Sequence, residues 1–297
     1  MKLPLPLAEP EGGRPGAVPL APFVRFSALW VQVTGTWCNL ECTHCFNASG
    51  PRDPWLRPLD ARSVRAAIAE AEALGVREIY YNGGEPFLHP EILPLIERAL
   101  EVAPTTVLTN GTAITERTAD RLAALAQRAA YSLELRVSLD DPEPEANDQV
   151  RGRGAWGRAV AAVRRLHARG LLPIVTATEI VDDPAADRYA RFRRFLLELG
   201  IDRPRVKILP VLPMGRLEGR SAELLDEAQL DGFDRGQLYC AESRALAEGG
   251  VYACPILAGL PGARMSAGRL AEAFRPAPLY HPACVTCHRT GLVCRNA

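Results

Sequence analysis

The sequence predicts an α/β protein built on a partial (β/α)6 TIM-like barrel, followed by a small cysteine-rich domain. Three observations carry this expectation. Short alternating or β-branched runs take turns with stretches of helical periodicity between Ala28 and Leu209. The helical stretches are bracketed by capping residues and glycines. Polar residues gather where the predicted strands end, which is where parallel α/β sheets collect their ligands. Six units fall short of the eight of a closed barrel.

The first strand starts at Ala28, with Leu29, Val31 and Val33 on one face and Trp30, Gln32 and Thr34 on the other, and a loop runs from it to Pro58. Asp60 is a good N-cap for a helix that carries Val64, Ile68, Ala71 and Leu74 at helical spacing and stops at Gly75. A second strand spans 76–81. Pro90 suits the first turn of a helix whose apolar face is Ile92, Leu95, Ile96, Ala99 and Leu100. Thr106 to Leu108 is a third strand ending in Thr109-Asn110-Gly111, and a helix covers 115–126. Leu133, Leu135, Val137 and Leu139 alternate with Glu134, Arg136 and Ser138 in the fourth strand, before a helix with Trp156, Val160, Val163 and Leu166 closed by Gly170. The fifth strand spans 174–180. The helix after Asp183-Pro184 is expected to bury Tyr189, Phe192, Phe195 and Leu199, and the sixth strand spans 205–209.

Composition narrows the function classes. Of 297 residues, 47% are hydrophobic and 24% charged, as in a soluble globular enzyme. The formal net charge is +0, so no field recruits nucleic acid or an anionic membrane, and neither partner is expected. Proline interrupts any apolar stretch at Met1–Pro6, and no run reaches the ~18 apolar residues of a membrane span. A reducing cytoplasm is therefore expected, in which eight cysteines serve metal binding or redox work rather than disulfides. Residues 1–25 hold six prolines and three glycines and read as an extended, partly mobile arm, too short for a peptide-binding domain.

Chemistry concentrates in Cys38-Asn39-Leu40-Glu41-Cys42-Thr43-His44-Cys45, a C-x3-C-x2-C loop after the first strand. Three thiolates can hold three irons of a [4Fe–4S] cube and leave the fourth open. Structural zinc wants four ligands, and only His44 is at hand as a fourth. Asn82-Gly83-Gly84-Glu85-Pro86 follows at the end of the second strand and taken alone would be a turn. Cys38, Cys42, His44 and Cys45 together with Gly83–Pro86 resemble the signature of the radical S-adenosylmethionine superfamily.

That resemblance implies a partial barrel, a [4Fe–4S] cluster on Cys38, Cys42 and Cys45, and S-adenosylmethionine chelated to the open iron and cleaved to a 5′-deoxyadenosyl radical. It also implies that Gly83, Gly84, Glu85 and Pro86 hold the cofactor's amino group, the glycines allowing close backbone approach. By the same resemblance, Ser138 of Ser138-Leu139-Asp140 and Arg151 of Val150-Arg151-Gly152 bind its carboxylate or ribose. Thr109, Asn110 and Glu179 are candidates from their strand-end positions alone; Thr109-Asn110-Gly111 is equally a turn, and Ser138–Asp141 equally a cap.

After Pro213-Met214-Gly215-Arg216 the βα rhythm ends, and residues 217–297 carry Cys240, Cys254, Cys284, Cys287 and Cys294. Spacing alone favours zinc over a second iron–sulfur cube. The sequence Gly249-Gly250-Val251-Tyr252-Ala253-Cys254, the later C-x2-C-x6-C and the preceding Pro-Met-Gly-Arg resemble instead the auxiliary-cluster region of SPASM/twitch enzymes. That resemblance implies one auxiliary [4Fe–4S] cluster, assigned to Cys240, Cys254, Cys284 and Cys287, with Cys294 as a substitute ligand or free thiol. Pro255 stands where peptide dehydrogenases of that group carry an acidic base. The expected domains are thus 1–25, 26–216 and 217–297. The expected function is an oxidoreductase or maturase that abstracts a substrate hydrogen and is served by an electron donor such as flavodoxin or ferredoxin. Its substrate is either a ribosomally made peptide or a small metabolite to be oxidised or epimerised. A non-catalytic iron–sulfur carrier or redox sensor is the alternative, and it would need neither a barrel mouth nor the Gly83–Pro86 shelf.

Overall fold

The computed structural model describes residues 18–52, 54–179 and 185–291; Cys294, most of the N-terminal arm and Asp183-Pro184 lie outside them. In chain order the strands are β1 (Leu20–Ala21), β2 (Ala28–Gln32), β3 (Glu78–Asn82), β4 (Thr105–Thr109), β5 (Leu133–Ser138), β6 (Ile174–Thr178), β7 (Arg205–Leu209), β8 (Ser243–Ala247), β9 (Gly250–Tyr252), β10 (Arg264–Ser266) and β11 (Ala277–Pro278). The helices are α1 (Ala61–Ala73), α2 (Ile92–Leu100), α3 (Glu116–Arg128), α4 (Pro144–Arg151), α5 (Ala155–His167), α6 (Ala185–Glu198) and α7 (Pro282–Thr290).

Among the described residues one sheet runs β10-β9-β8-β2-β3-β4-β5-β6-β7, parallel from β8 to β7. Residues from all six strands β2 to β7 meet at one cavity: Trp30, Asn82, Thr109, Arg136, Thr176 and Leu209. A flat sheet would spread six strands over about 24 Å at the usual ~4.8 Å spacing, so the sheet curls. It does not close, and the α/β partial barrel read from the sequence is the architecture found.

The predicted elements lie close to the observed ones because caps and periodicity agree. Asp60 caps α1 by accepting from the Ser63 N–H, and Thr115 caps α3 by accepting from the Thr118 N–H. Pro90 falls just outside α2, whose N-cap is Glu91. Helix α4 is absent from the sequence reading, since its eight residues bury only Asn147 and Arg151 and show no apolar stripe.

Tyr189 is a correction: it is 43% exposed, not buried. The inward stripe of α6 is Arg188, Phe192 and Leu196, all at most 2% exposed, because Arg188 donates to the carbonyls of Asp140 and Thr178. A buried arginine displaced the apolar face by one residue.

The described part of the N-terminal arm is also not loose. β1 pairs with β11, Phe23 stacks on Phe274 with ring centroids 4.6 Å apart, and Arg25 pairs with Glu242 at 2.6 Å. Averaging over prolines and glycines hid the few apolar residues that anchor this stretch. The cysteine-rich tail extends the barrel sheet: β8 pairs in parallel with β2, and β9 returns from it through a hairpin at Glu248-Gly249, where Gly249 has φ +86°.

Candidate functional site

The C-x3-C-x2-C loop leaves β2 and folds over the carboxyl end of the sheet. It is held there by the backbone bonds Cys38 N–H to Gly50 O (3.0 Å) and Thr43 N–H to Val150 O (2.9 Å). Gly83 and Gly84 leave β3 directly beneath it. A Cβ on Gly84 would stand 2.0 Å from the Trp37 carbonyl oxygen, and one on Gly83 2.4 Å from Thr34 Oγ1. Gly84 is therefore needed for packing against the start of the cysteine loop and Gly83 for packing against the Thr34-Gly35 turn that leads into it, and both also line the cavity.

Met214-Gly215-Arg216 clamps the same loop from the other side. Gly215 (φ +63°) lies where a Cβ would be 2.4 Å from both the Cys45 and Phe46 carbonyl oxygens. Arg216 donates to the carbonyls of Cys42 (2.9 Å) and Ser49 (2.6 Å). The tripeptide thus orders the first cysteine set, a role the sequence reading did not give it.

Cys38, Cys42 and Cys45 line a cavity of about 240 Å³ together with His44, Gly83, Gly84, Thr109, Asn110, Ser138 and Arg151. Burial pushes the Cys38 thiol up to about 12 and raises that of Cys42 as well. Such thiols give up their protons to a metal rather than to water. N–H groups point at the sulfurs, from Leu40 (3.4 Å) and the Asn110 amide (3.6 Å) to Cys38 and from Ser49 (3.3 Å) to Cys45. Asn82 Oδ1, Thr176 Oγ1 and His44 Nδ1 are buried without a hydrogen-bond partner, on residues that line the cavity. Three thiols at one end of a partly polar chamber with unmatched donors and acceptors fit an iron–sulfur cube carrying a polar cofactor.

Glu85, Pro86 and Glu179 do not line this cavity. The Glu85 carboxylate is fully buried and turned sideways, accepting from Thr109 Oγ1 (2.7 Å), Asn110 N–H (2.7 Å) and Phe87 N–H (3.1 Å). Burial outweighs these bonds and pushes it up to about 7. It ties the end of β3 to the end of β4 and so sets Thr109 and Asn110. Glu179 is exposed because Thr176 and Thr178 take the inward positions of β6 and alternation turns residue 179 outward.

The sequence reading missed Asp140. Its Oδ2 lies 2.7 Å from Arg151 Nε and 2.9 Å from His44 Nε2, while Oδ1 accepts from the Thr178 N–H at 2.9 Å. Burial opposes its ionisation, but Arg151 and His44 prevail and hold the carboxyl well below the usual carboxylate range. One carboxylate thereby joins the cysteine loop, α4 and β6. Arg136, Thr176 and Thr178 were missed too; the signal available was polar residues at alternate, inward positions of strands.

A second cavity, about 40 Å³, is lined by Cys240, Cys254, Cys284 and Cys287 among Leu238, Tyr239, Leu257, Leu279 and Ala283. Pro255 and Ile256 line both cavities and form the wall between them. Burial raises Cys240, Cys254 and Cys284, the last to about 12. The seven described cysteines form no disulfide. Four thiols, that of Cys284 buried and those of Cys240, Cys254 and Cys287 partly so, around an otherwise apolar pocket suit a fully ligated cluster.

Similarity to known proteins agrees with this geometry. The mycofactocin maturase MftC of Mycobacterium tuberculosis is 37% identical over 134 residues, 45% of this chain and 32% of that protein. The PqqA peptide cyclase of Ruegeria pomeroyi is 29% identical over 168 residues, 56% of this chain and 43% of that one. The chain thus spans about a third to a half of the length of these curated relatives. The crystal structure of Streptococcus suis SuiB bound to S-adenosylmethionine has the same fold, with a TM-score of 0.66 at 17% identity over 86% of this chain and 67% of that one; SuiB bound to its precursor peptide SuiA matches equally well. Among the described residues no helix is long and apolar enough to cross a membrane. Residues 33–184 match the Radical SAM superfamily, and with its three-cysteine loop at the mouth of a partial barrel the chain belongs to that superfamily, whose members use a [4Fe–4S] cluster and S-adenosylmethionine.

Proposed function

We propose that this chain is a peptide maturase: Cys38, Cys42 and Cys45 hold the radical-generating cluster, and Cys240, Cys254, Cys284 and Cys287 hold one auxiliary [4Fe–4S] cluster. The observation that carries this reading is the wall shared by Pro255 and Ile256, which puts the four tail thiols directly behind the chamber lined by the first three. Cluster and S-adenosylmethionine, when bound, supply a 5′-deoxyadenosyl radical for hydrogen abstraction. The chain's own residues do the rest. Arg151, fixed by Asp140, and Ser138 present donors to the cofactor's carboxylate or ribose. Thr109 and Asn110, fixed by Glu85, face it from β4, and the apolar side around Trp30, Leu40, Leu108, Leu212 and Ile256 excludes water.

A peptide substrate is favoured over a small metabolite by the named activities of the relatives, MftC as a maturase and the PqqA cyclase as acting on a peptide, and by SuiB's capture of SuiA. An electron donor such as flavodoxin or ferredoxin completes the cycle. In anaerobically reconstituted, dithionite-reduced protein, S-adenosylmethionine is expected to yield 5′-deoxyadenosine, and Cys42→Ala is expected to abolish it. Cys284→Ala/Cys287→Ala should keep that cleavage but give no product from a precursor peptide that the parent protein converts. Cleavage by Cys42→Ala would refute the first assignment; product from the double variant would reduce the tail cysteines to a structural part. Turnover of a metabolite instead of any peptide would overturn the substrate class.

A further inference from the structure

Beside the second cavity lies a buried cation that no carboxylate among the described residues neutralises. Arg244, on β8, is fully buried. Among the described residues its guanidinium donates only to carbonyl oxygens: Nε to Ala273 (2.7 Å), Nη1 to Cys240 (2.7 Å) and Ser243 (2.6 Å), and Nη2 to Arg275 (2.7 Å). Its carbon lies 4.2 Å from the centroid of the Phe23 ring, a further cation contact. Among the described residues no carboxylate stands within ion-pair distance of it, and its neighbour Glu242 is engaged by Arg25.

A buried cation held only by dipoles is costly unless a negative charge completes the site. The group at hand to supply it is a cluster on the neighbouring cysteines, since Arg244 Nη1 already donates to the backbone carbonyl of Cys240, which lines that cavity. Four thiolates on a [4Fe–4S] core carry roughly two negative charges, and one more after reduction by one electron. A fixed positive charge favours the more negative form.

We propose that Arg244 is the built-in counter-charge of the tail cluster and raises its reduction potential, so that the cluster accepts one electron more readily. This rests on the auxiliary-cluster reading given above. The step is the gain of one electron by the cluster, from a substrate-centred radical in turnover or from dithionite in the test. No atom is transferred, and no bond to Arg244 is made or broken.

The test uses the full chain carrying Cys38→Ala/Cys42→Ala/Cys45→Ala, so that only the tail cluster is present. Iron is measured first; a background protein without iron refutes the auxiliary cluster, and the inference with it. With about four irons bound, an anaerobic dithionite titration followed by electron paramagnetic resonance gives the midpoint potential. Arg244→Gln is expected to reduce the reduction equilibrium constant about tenfold or more, a shift of about 59 mV downward per tenfold for a one-electron couple. Arg244→Lys, which keeps the charge, should stay within about threefold of the parent. Because Arg244→Gln strands four carbonyls and can fail to fold, a second pair leaves the arginine in place. Phe23→Glu puts a carboxylate over the guanidinium and should lower the potential like Arg244→Gln, whereas Phe23→Gln should not. Equal shifts in Lys and Gln, or in Glu and Gln, would mean packing rather than charge, and no shift in Phe23→Glu would equally overturn the proposal.

Discussion

Replacing Asp140 by Asn tests whether one carboxylate holds the mouth of the barrel together. Asp140 is 3% exposed and Arg151 8%, and they meet at 2.7 Å, with His44 at 2.9 Å on the same oxygen. The amide keeps an acceptor for the Thr178 N–H but leaves Arg151 as a buried cation without its partner. Removing one member of such a pair costs about 3–5 kcal/mol. At a urea slope of about 3 kcal/mol per molar, the unfolding midpoint should fall by at least about 1 M, read by circular dichroism on the metal-free chain at pH 7. Arg151→Met should cost a similar amount, and Asp140→Asn/Arg151→Met far less than the sum, because the second change removes the charge stranded by the first. The pH dependence has a definite sign. Asp140 is depressed in the fold, so its stabilisation is fully present above its unfolded value near 4 and is lost as pH falls through the folded value. A midpoint shift below about 0.3 M, or strict additivity in the double variant, would show that these contacts do not carry the energy assigned to them.

Glu85 has the opposite sign: its carboxyl is raised to about 7, so the folded state holds its proton longer than the unfolded chain does, and stability should drop by about 3 kcal/mol between pH 4.5 and 7. Glu85→Gln should flatten that part of the curve; an unchanged profile would refute the assignment. Gly84→Ala forces a Cβ to within 2.0 Å of the Trp37 carbonyl, so a loss of about 1–3 kcal/mol and of iron at the first site is expected, and full iron occupancy in that variant would contradict the close packing described. Anaerobically reconstituted protein should bind about eight irons per chain and the Cys38→Ala/Cys42→Ala/Cys45→Ala variant about four, four being the content of one cube; zinc at the tail site would remove the auxiliary cluster.

The sequence by itself determined the local order of the barrel and its two cysteine sets. Caps such as Asp60 and Thr115, glycines after helices and period-two strands act over a few residues, so the order of βα units and the position of each strand end are legible without contacts. The C-x3-C-x2-C spacing is equally local. The tertiary structure decided what faces what. Glu85, adjacent to two cavity-lining glycines, turned to Thr109 and Asn110 because its oxygens found donors on the neighbouring strand. Gly215 and Arg216, about 170 residues from the first cysteines, came to clamp them, and Arg188 displaced Tyr189 from the core. The tail became part of the barrel sheet only through the pairing of β8 with β2, a hydrogen-bond register between segments some 200 residues apart. Such choices depend on which donors, acceptors and charges meet after the chain has closed on itself, and no spacing within the sequence encodes them.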